Sequence, residues 1–217
     1  MARASAEGYP VYLDLRETPV LVVGGGAVAA RKVRELARCG ARITLVAPKV
    51  HSALARRKGL ALKRRGFRTS DLRGARLVFA ATDDPALNAR LAKLARGRGL
   101  WCNVAAPPET GDLTLPAVVR RGRLSVAIST GGVSAAAAKA LREELERRLD
   151  PGWGPFLALL EARRARIKRR VPDPAARRKL LQALGSPRWV RELRRRGCAE
   201  TARRMDALIA KALEQRA

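Results

Sequence analysis

Short apolar runs alternate with stretches of helical period through the first half of the chain. Pro19-Val-Leu-Val-Val23 is apolar throughout, as in a strand covered on both faces, and stops at three glycines. Ala27 to Arg38 then places Val28, Val33 and Leu36 on one helical face. Ala41 to Ala47 is a second strand ended by Pro48, Leu60 to Lys63 a weaker third and Arg76 to Ala81 a stronger fourth. Pro85 to Arg98 carries Leu87, Leu91 and Leu94 at helical spacing, with Pro85 suited to a first turn, and Trp101 to Val104 is the fifth strand. Strands alternating with helices imply right-handed crossovers and a doubly wound parallel sheet of Rossmann type.

After Pro107-Pro108 the pattern changes. Leu113 to Val119 and Leu124 to Ser129 read as a hairpin outside that sheet, joined by Arg120-Arg-Gly-Arg123. From the N-cap Ser134 onward the period is helical: Ala135 to Leu149, Gly154 to Arg170, Asp173 to Leu184, and Pro187 to about Arg216 with a break near Gly197. The expected organisation is a nucleotide-binding domain (1–112), a hairpin-helix region (113–150) and a small helical C-terminal domain (151–217).

The charge changes the picture more than any other compositional feature. With 46 Lys and Arg against 19 Asp and Glu the chain carries +27, and Leu160 to Ala217 alone holds 18 basic and 6 acidic residues. Such a surplus calls for an anionic partner: a nucleic acid, or an acidic metabolite drawn into a basic cleft, unless it reflects an arginine bias without function. No aromatic-interleaved basic stretch or DNA-reading motif supports nucleic acid. Aromatics are only 4% of the chain, so the core is packed from Ala, Val and Leu. Cys39, Cys102 and Cys198 are odd in number and widely spaced, which fits reduced cytoplasmic thiols better than a disulfide framework or zinc site. The N-terminus shows no targeting signal and the longest uncharged stretch, Thr18 to Ala30, is too short and Gly-rich to span a bilayer, so a soluble cytoplasmic protein is expected.

Gly24-Gly25-Gly26-Ala27-Val28-Ala29 fits the dinucleotide fingerprint G-x-G-x-x-G/A between a strand and a helix. Gly24 permits the tight turn, Gly26 the approach of a pyrophosphate to the backbone at Ala27 and Val28, and Ala29 close packing of helix on strand. The acidic residue that would hold the ribose hydroxyls is missing: the end of the second strand reads Val46-Ala47-Pro48-Lys49. Either backbone groups at Pro48 and Lys49 hold the ribose, or Lys49 favours a 2′-phosphate, or Lys49 is a solvated surface charge, so NAD and NADP both stay open. Thr82 and Asp83 end the fourth strand at the carboxyl edge, where they contact cofactor or substrate, unless Asp83 or Asp84 caps the following helix. His51 is the only histidine, and no metal site is expected.

Tyr9-Pro-Val-Tyr-Leu-Asp-Leu15, Val20 to Val33 with its Arg31-Lys32, Ala80-Ala-Thr-Asp-Asp84, Asn103-Val104, Leu115-Pro116 and Val126-Ala-Ile-Ser-Thr-Gly-Gly-Val-Ser134 together resemble the precorrin-2 dehydrogenases. These form the N-terminal module of sirohaem synthase, and some also act as sirohydrochlorin ferrochelatases. The resemblance covers about residues 9 to 150 by motif and the remainder by helical character. It implies oxidation of precorrin-2 to sirohydrochlorin with NAD as hydride acceptor, with ferrous iron insertion as a further step in some members. It also implies a homodimer, with the segment after Leu113 forming the dimerisation region. Because the chain stops at Ala217, the methyltransferase module fused to this domain in some bacteria is not expected. An acidic tetrapyrrole suits the charge, with Arg120, Arg121, Arg123, Lys139 and Arg142 flanking the hairpin and its helix. Ser129, Thr130, Gly131, Gly132 and Ser134 form a small-residue turn before a helix, a nest for a carboxylate.

One position departs from the family. Its members carry Asn-Val-x-Asp after the fifth strand, and that aspartate is assigned to both dehydrogenation and chelation. Here the segment reads Asn103-Val104-Ala105-Ala106, and a methyl cannot accept a proton or a metal. Glu109 and Asp112 lie just downstream, and Asp112 is the candidate replacement. Two readings follow: a working dehydrogenase with weak or absent chelatase activity, or a non-catalytic tetrapyrrole-binding or regulatory relative.

Overall fold

The computed structural model describes residues 8–214; the expectations for residues 1–7 and for helix at 215 and 216 lie outside them. The chain divides into two compact units between Leu115 and Pro116. In the first, β1 (Pro19–Val23), β2 (Arg42–Val46), β3 (Leu60–Lys63), β4 (Leu77–Ala80) and β5 (Trp101–Val104) form a parallel sheet in the order β3-β2-β1-β4-β5. Helices α1 (Ala27–Arg38), α2 (Ser52–Ala55) and α3 (Pro85–Arg96) connect them. Strand order reverses between β1 and β4, where crevices for ligands open beyond the carboxyl ends in such sheets.

The alternation of side chains along β1 builds both cores. Val20 and Val22 join Ala29, Ala30, Val33 and Leu36 of α1 on one face, while Leu21 and Val23 meet Leu91, Ala92 and Ala95 of α3 on the other. Each of these β1 side chains is essentially fully buried, contributing about 1.5–3 kcal/mol. The face of α1 differs from the expectation in one residue: Val28 is 40% exposed, and Ala29, Ala30, Val33 and Leu36 meet the sheet. Spacing from Ala29 follows i, i+1, i+4, i+7, and small residues at the first turn let the helix axis approach the strand. Helix α3 stops at Arg96, two residues earlier than its apolar spacing suggests, with Gly97 as its cap.

The second unit opens with an antiparallel hairpin, β6 (Ala117–Arg121) and β7 (Leu124–Ile128). It is tighter than expected. Arg120 and Arg121 belong to β6, leaving only Gly122-Arg123 as the turn. Gly122 has φ +58, and a Cβ there would lie 3.0 Å from the Gly154 Cα. The strand begins at Ala117, not Leu113, because Pro116 has no N–H to give to a ladder and Leu113 packs into the first unit's core. Four helices follow: α4 (Ala135–Arg148), α5 (Trp153–Arg170), α6 (Pro174–Leu184) and α7 (Arg188–Glu214), the last kinked at Gly197, whose φ is 76. Helix α4 packs on the hairpin, while Phe156, Ile167, Leu184, Trp189, Met205 and Ile209 form the core of α5, α6 and α7.

Candidate active site

Each glycine of the first loop has a different task. Gly24 sits at φ +120, and a Cβ on it would lie 2.1 Å from the Ala81 carbonyl oxygen. Gly25 is equally tight: a Cβ would meet the Lys49 carbonyl oxygen at 2.0 Å, and its own carbonyl accepts from the His51 N–H at 2.8 Å. Gly26 has nothing within 4 Å of a Cβ position and lies at the N-cap of α1 without a side-chain cap. The first two glycines are therefore filled by protein and the third faces open space. The N–H groups of the first turn, beginning at Ala27 and exposed Val28, have no side-chain acceptor, and the helix dipole places partial positive charge there. A pyrophosphate fits that cradle in size and charge.

The carboxyl ends of β4 and β5 are tied by one residue that sequence reasoning missed. Asn88, 1% exposed, accepts from the Thr82 hydroxyl at 2.7 Å and the Thr82 N–H at 3.2 Å, and its amide donates to the carbonyls of Thr82 at 3.1 Å and Ala106 at 3.0 Å. Its only sequence signal is a polar residue between Leu87 and Leu91 on a helix whose neighbours are buried. Asp84 caps α3, accepting from the N–H groups of Ala86 and Leu87 at 2.9 and 3.0 Å. That settles which aspartate is the cap and leaves Asp83 exposed beside Thr82, with no ion-pair partner among the described residues.

A second residue without an assigned role is Lys32, 9% exposed. Its ammonium donates to the Asn103 side-chain oxygen at 2.5 Å and lies 5.7 Å from the Phe79 ring centroid. Burial, with the nearby Arg31 charge, pushes its pKa down to about 8. Asn103 passes the linkage on, donating to the Leu113 carbonyl at 2.7 Å. The Arg-Lys pair and the Asn-Val dipeptide were visible in the sequence as separate motifs; the fold joins them.

Comparisons with known proteins bear on this geometry. The family model described as "Putative NAD(P)-binding" matches residues 11–117, and that described as "Sirohaem biosynthesis protein central" matches 121–148. Siroheme synthase of Methylococcus capsulatus is 38% identical over 213 residues, 95% of this chain and 44% of the relative. That of Azotobacter vinelandii is 41% identical over 172 residues, 78% of this chain and 37% of the relative. The chain thus spans less than half the length of these curated relatives. The solved structure of SirC, precorrin-2 dehydrogenase, is 30% identical, covers 92% of this chain and 100% of its own, and superposes with a TM-score of 0.77. The chain belongs to the precorrin-2 dehydrogenase family.

Within this precorrin-2 dehydrogenase fold, Ala106 follows β5 and its carbonyl is held by Asn88, so the position lies beside Thr82 at the carboxyl edge of the sheet. Glu109 lies in a short 3-10 turn and is exposed. Asp112 is not brought to that edge. Its N–H donates to the Cys102 carbonyl at 2.8 Å, back towards the start of β5, and its carboxylate accepts from Arg96 Nε and Nη2 at 3.0 and 2.7 Å. Arg96 belongs to the last turn of α3, which runs away from the carboxyl edge, so this carboxylate is engaged at the opposite end of the strand. Pro48 and Lys49 lie against the glycine loop and are both exposed.

The remaining predicted residues belong to the second unit. Ser129 Oγ accepts from the Gly131 N–H at 3.2 Å and Ser134 Oγ accepts from Ala137 at 3.0 Å, capping α4. Both hydroxyls keep a proton to donate. Thr130 Oγ1 instead donates to the Ser134 carbonyl at 3.0 Å while accepting from its N–H at 3.2 Å, so its proton is used in shaping the turn. Gly131 and Gly132 adopt φ +62 and +86 with open space around them. The cations expected beside this turn are largely engaged: Arg121 donates to the Glu146 carbonyl, Arg123 pairs with Glu161 at 2.7 Å, Lys139 with Glu143 at 3.9 Å and Arg142 with Glu143 and Glu146. Arg120 is exposed on β6, opposite Ser125. No cluster of metal-ligating side chains occurs among the described residues, and no helix among them is long and apolar enough to cross a membrane.

Proposed function

We propose that this protein oxidises precorrin-2 to sirohydrochlorin within sirohaem biosynthesis, with NAD as hydride acceptor. The observation that carries the reading is the open cradle at Gly26 beside the Thr82, Asn88 and Ala106 junction, in a chain that aligns along the whole length of a precorrin-2 dehydrogenase. NAD, when bound, takes up the hydride. The protein's own residues do the rest: the first turn of α1 binds the pyrophosphate, and Thr82, held by Asn88, shapes the wall where the ring meets the substrate. Asp83 receives the proton that leaves with each hydride, since it is the free carboxylate beside Thr82 and Ala106 has none. Ser129, Ser134 and the backbone of Gly131 and Gly132, with Arg120, hold carboxylates of the tetrapyrrole.

The protein acts as a homodimer through the region after Leu113, where Val133 and Leu141 are 87% and 48% exposed. It works in a reducing cytoplasm, in keeping with three unpaired cysteines. Ferrous iron is at most a poor substrate, because the family's metal-handling carboxylate is a methyl at Ala106. That same methyl favours a second reading, a tetrapyrrole-binding relative without turnover.

Absorbance of NADH during anaerobic incubation with precorrin-2 decides between them. Turnover is expected, falling about 10²-fold or more in Asp83→Asn and little in Asp112→Ala. Tight tetrapyrrole binding with no NADH in the unmodified protein overturns the dehydrogenase reading. Ala106→Asp is expected to raise iron insertion.

A further inference from the structure

Lys32 is a buried ammonium that no carboxylate among the described residues meets. A purely structural side chain in this place has no use for a charge: desolvation disfavours the ion, the neighbouring Arg31 repels it, and methionine would fill a similar volume at less cost. What the ammonium does is set the direction of the Asn103 amide. It can only donate, so the amide turns its oxygen to Lys32 and its NH2 to the Leu113 carbonyl. That orientation closes the base of a loop. The chain leaves β5 at Val104 and is back beside the strand by Asp112: the N–H groups of Asp112 and Leu113 both donate to the Cys102 carbonyl, at 2.8 and 3.2 Å, and a Cβ on Gly111 would lie 2.8 Å from that same oxygen. Ala105 and Leu113, at the two ends of the loop, both pack with α1. Ala106 is the loop residue that Asn88 ties to Thr82. The loop is thus held from α3 by Asn88 and from α1 by Lys32, and α1 is the helix whose first turn forms the phosphate cradle.

We propose that Lys32 is a positioning residue for hydride transfer, acting through Asn103 to fix the 105–112 loop relative to the helix that holds the cofactor. The proposal rests on the dehydrogenase reading above and adds to it a residue that works through another. Its mark is a split between rate and binding. The cradle is made by backbone N–H groups of the first turn of α1 and survives loss of the Lys32 side chain, whereas a small shift of the loop beside Thr82 misplaces the reacting groups and lowers the rate alone.

Lys32→Met, Asn103→Leu and the double variant, each compared with the unmodified chain, test it. Lys32→Met should fold, because relief of the buried charge offsets the donor that Asn103 loses. The expected result is a kcat for NADH formation from precorrin-2 lowered about tenfold, a dissociation constant for NAD within about twofold by calorimetry, and faster amide exchange at Asp112 and Leu113 in the cofactor-free protein. The double variant should lose no more than the slower single one, as for two residues that act as a unit. Asn103→Asp, which keeps an acceptor for Lys32 and removes the donor to Leu113, should show the same split and serves if Lys32→Met does not fold. A normal rate in Lys32→Met or Asn103→Asp, or unchanged exchange at Asp112 and Leu113, overturns the proposal and leaves the dehydrogenase reading intact. Losses that multiply in the double variant, or NAD binding that weakens in step with the rate, overturn it as well. No NADH from the unmodified chain overturns both.

Discussion

Replacing Gly26 by valine adds a branched side chain where nothing lies within 4 Å of the new Cβ, at a backbone conformation, φ −81 and ψ −171, that any L-residue adopts. Folding stability should therefore stay within about 0.5 kcal/mol of the original, since gains from stiffening the unfolded chain offset the poorer N-cap. Dinucleotide binding should not survive. The two methyls occupy the space above the first turn of α1, and each N–H to phosphate bond lost there is worth about 1.5–3 kcal/mol, so one or two amount to about tenfold to more than 100-fold. Gly25→Ala is the contrasting change: its Cβ would lie 2.0 Å from the Lys49 carbonyl oxygen, so the second strand's exit must move, at a cost of about 1–3 kcal/mol or more. Urea unfolding and titration with NAD, run on both variants, separate the two effects. If Gly26→Val binds NAD as the unmodified chain does, the pyrophosphate does not sit on this helix. Should Gly25→Ala prove as stable as the original, the packing of loop on Lys49 is wrong.

Three further outcomes are expected. The bond from Arg65, aided by Lys63 and the Arg68 N–H, holds the Asp71 carboxyl well below its ordinary value despite burial, so its contribution is complete above about pH 4 and fades as pH falls below that. Asp71→Asn should lose about 2 kcal/mol at pH 7, with the gap to the unmodified protein closing towards pH 2 in urea midpoints; parallel profiles would refute the assignment. Lys32, held down to about 8, binds its proton more weakly folded than unfolded, so stability should rise between about pH 8 and 10.5 by about 3 kcal/mol, and Lys32→Met should abolish that rise. An unchanged rise in the variant would assign it to other groups. Asn88→Ala removes four hydrogen bonds joining Thr82 to Ala106, and should cost about 1–3 kcal/mol while speeding amide exchange in both loops; exchange confined to its own helix would deny the linkage.

The five strands and the helices α1 and α3 of the first unit were legible from their apolar runs and from an apolar side repeated every three or four residues, whereas the four-residue α2 is too short to show a period. The fingerprint at Gly24 to Ala29 and the cap at Ser134 were legible for the same reason: their chemistry is local, written within a few residues. Even the missing acid at Ala106 is a fact of sequence alone. Long-range placement was not. Nothing in the spacing of Asp112 shows that it turns back to Cys102 and is taken by Arg96, whereas Asp83, one residue before a cap, stays free. Asn88 reads as a polar residue on an apolar face until β4 and β5 bring two loops to either side of it. Lys32 and Asn103 stand 71 positions apart and meet only because α1 lies across the sheet. A side chain's partner is set by which strands are neighbours and in what register, and that depends on the packing of the whole domain rather than on any single segment.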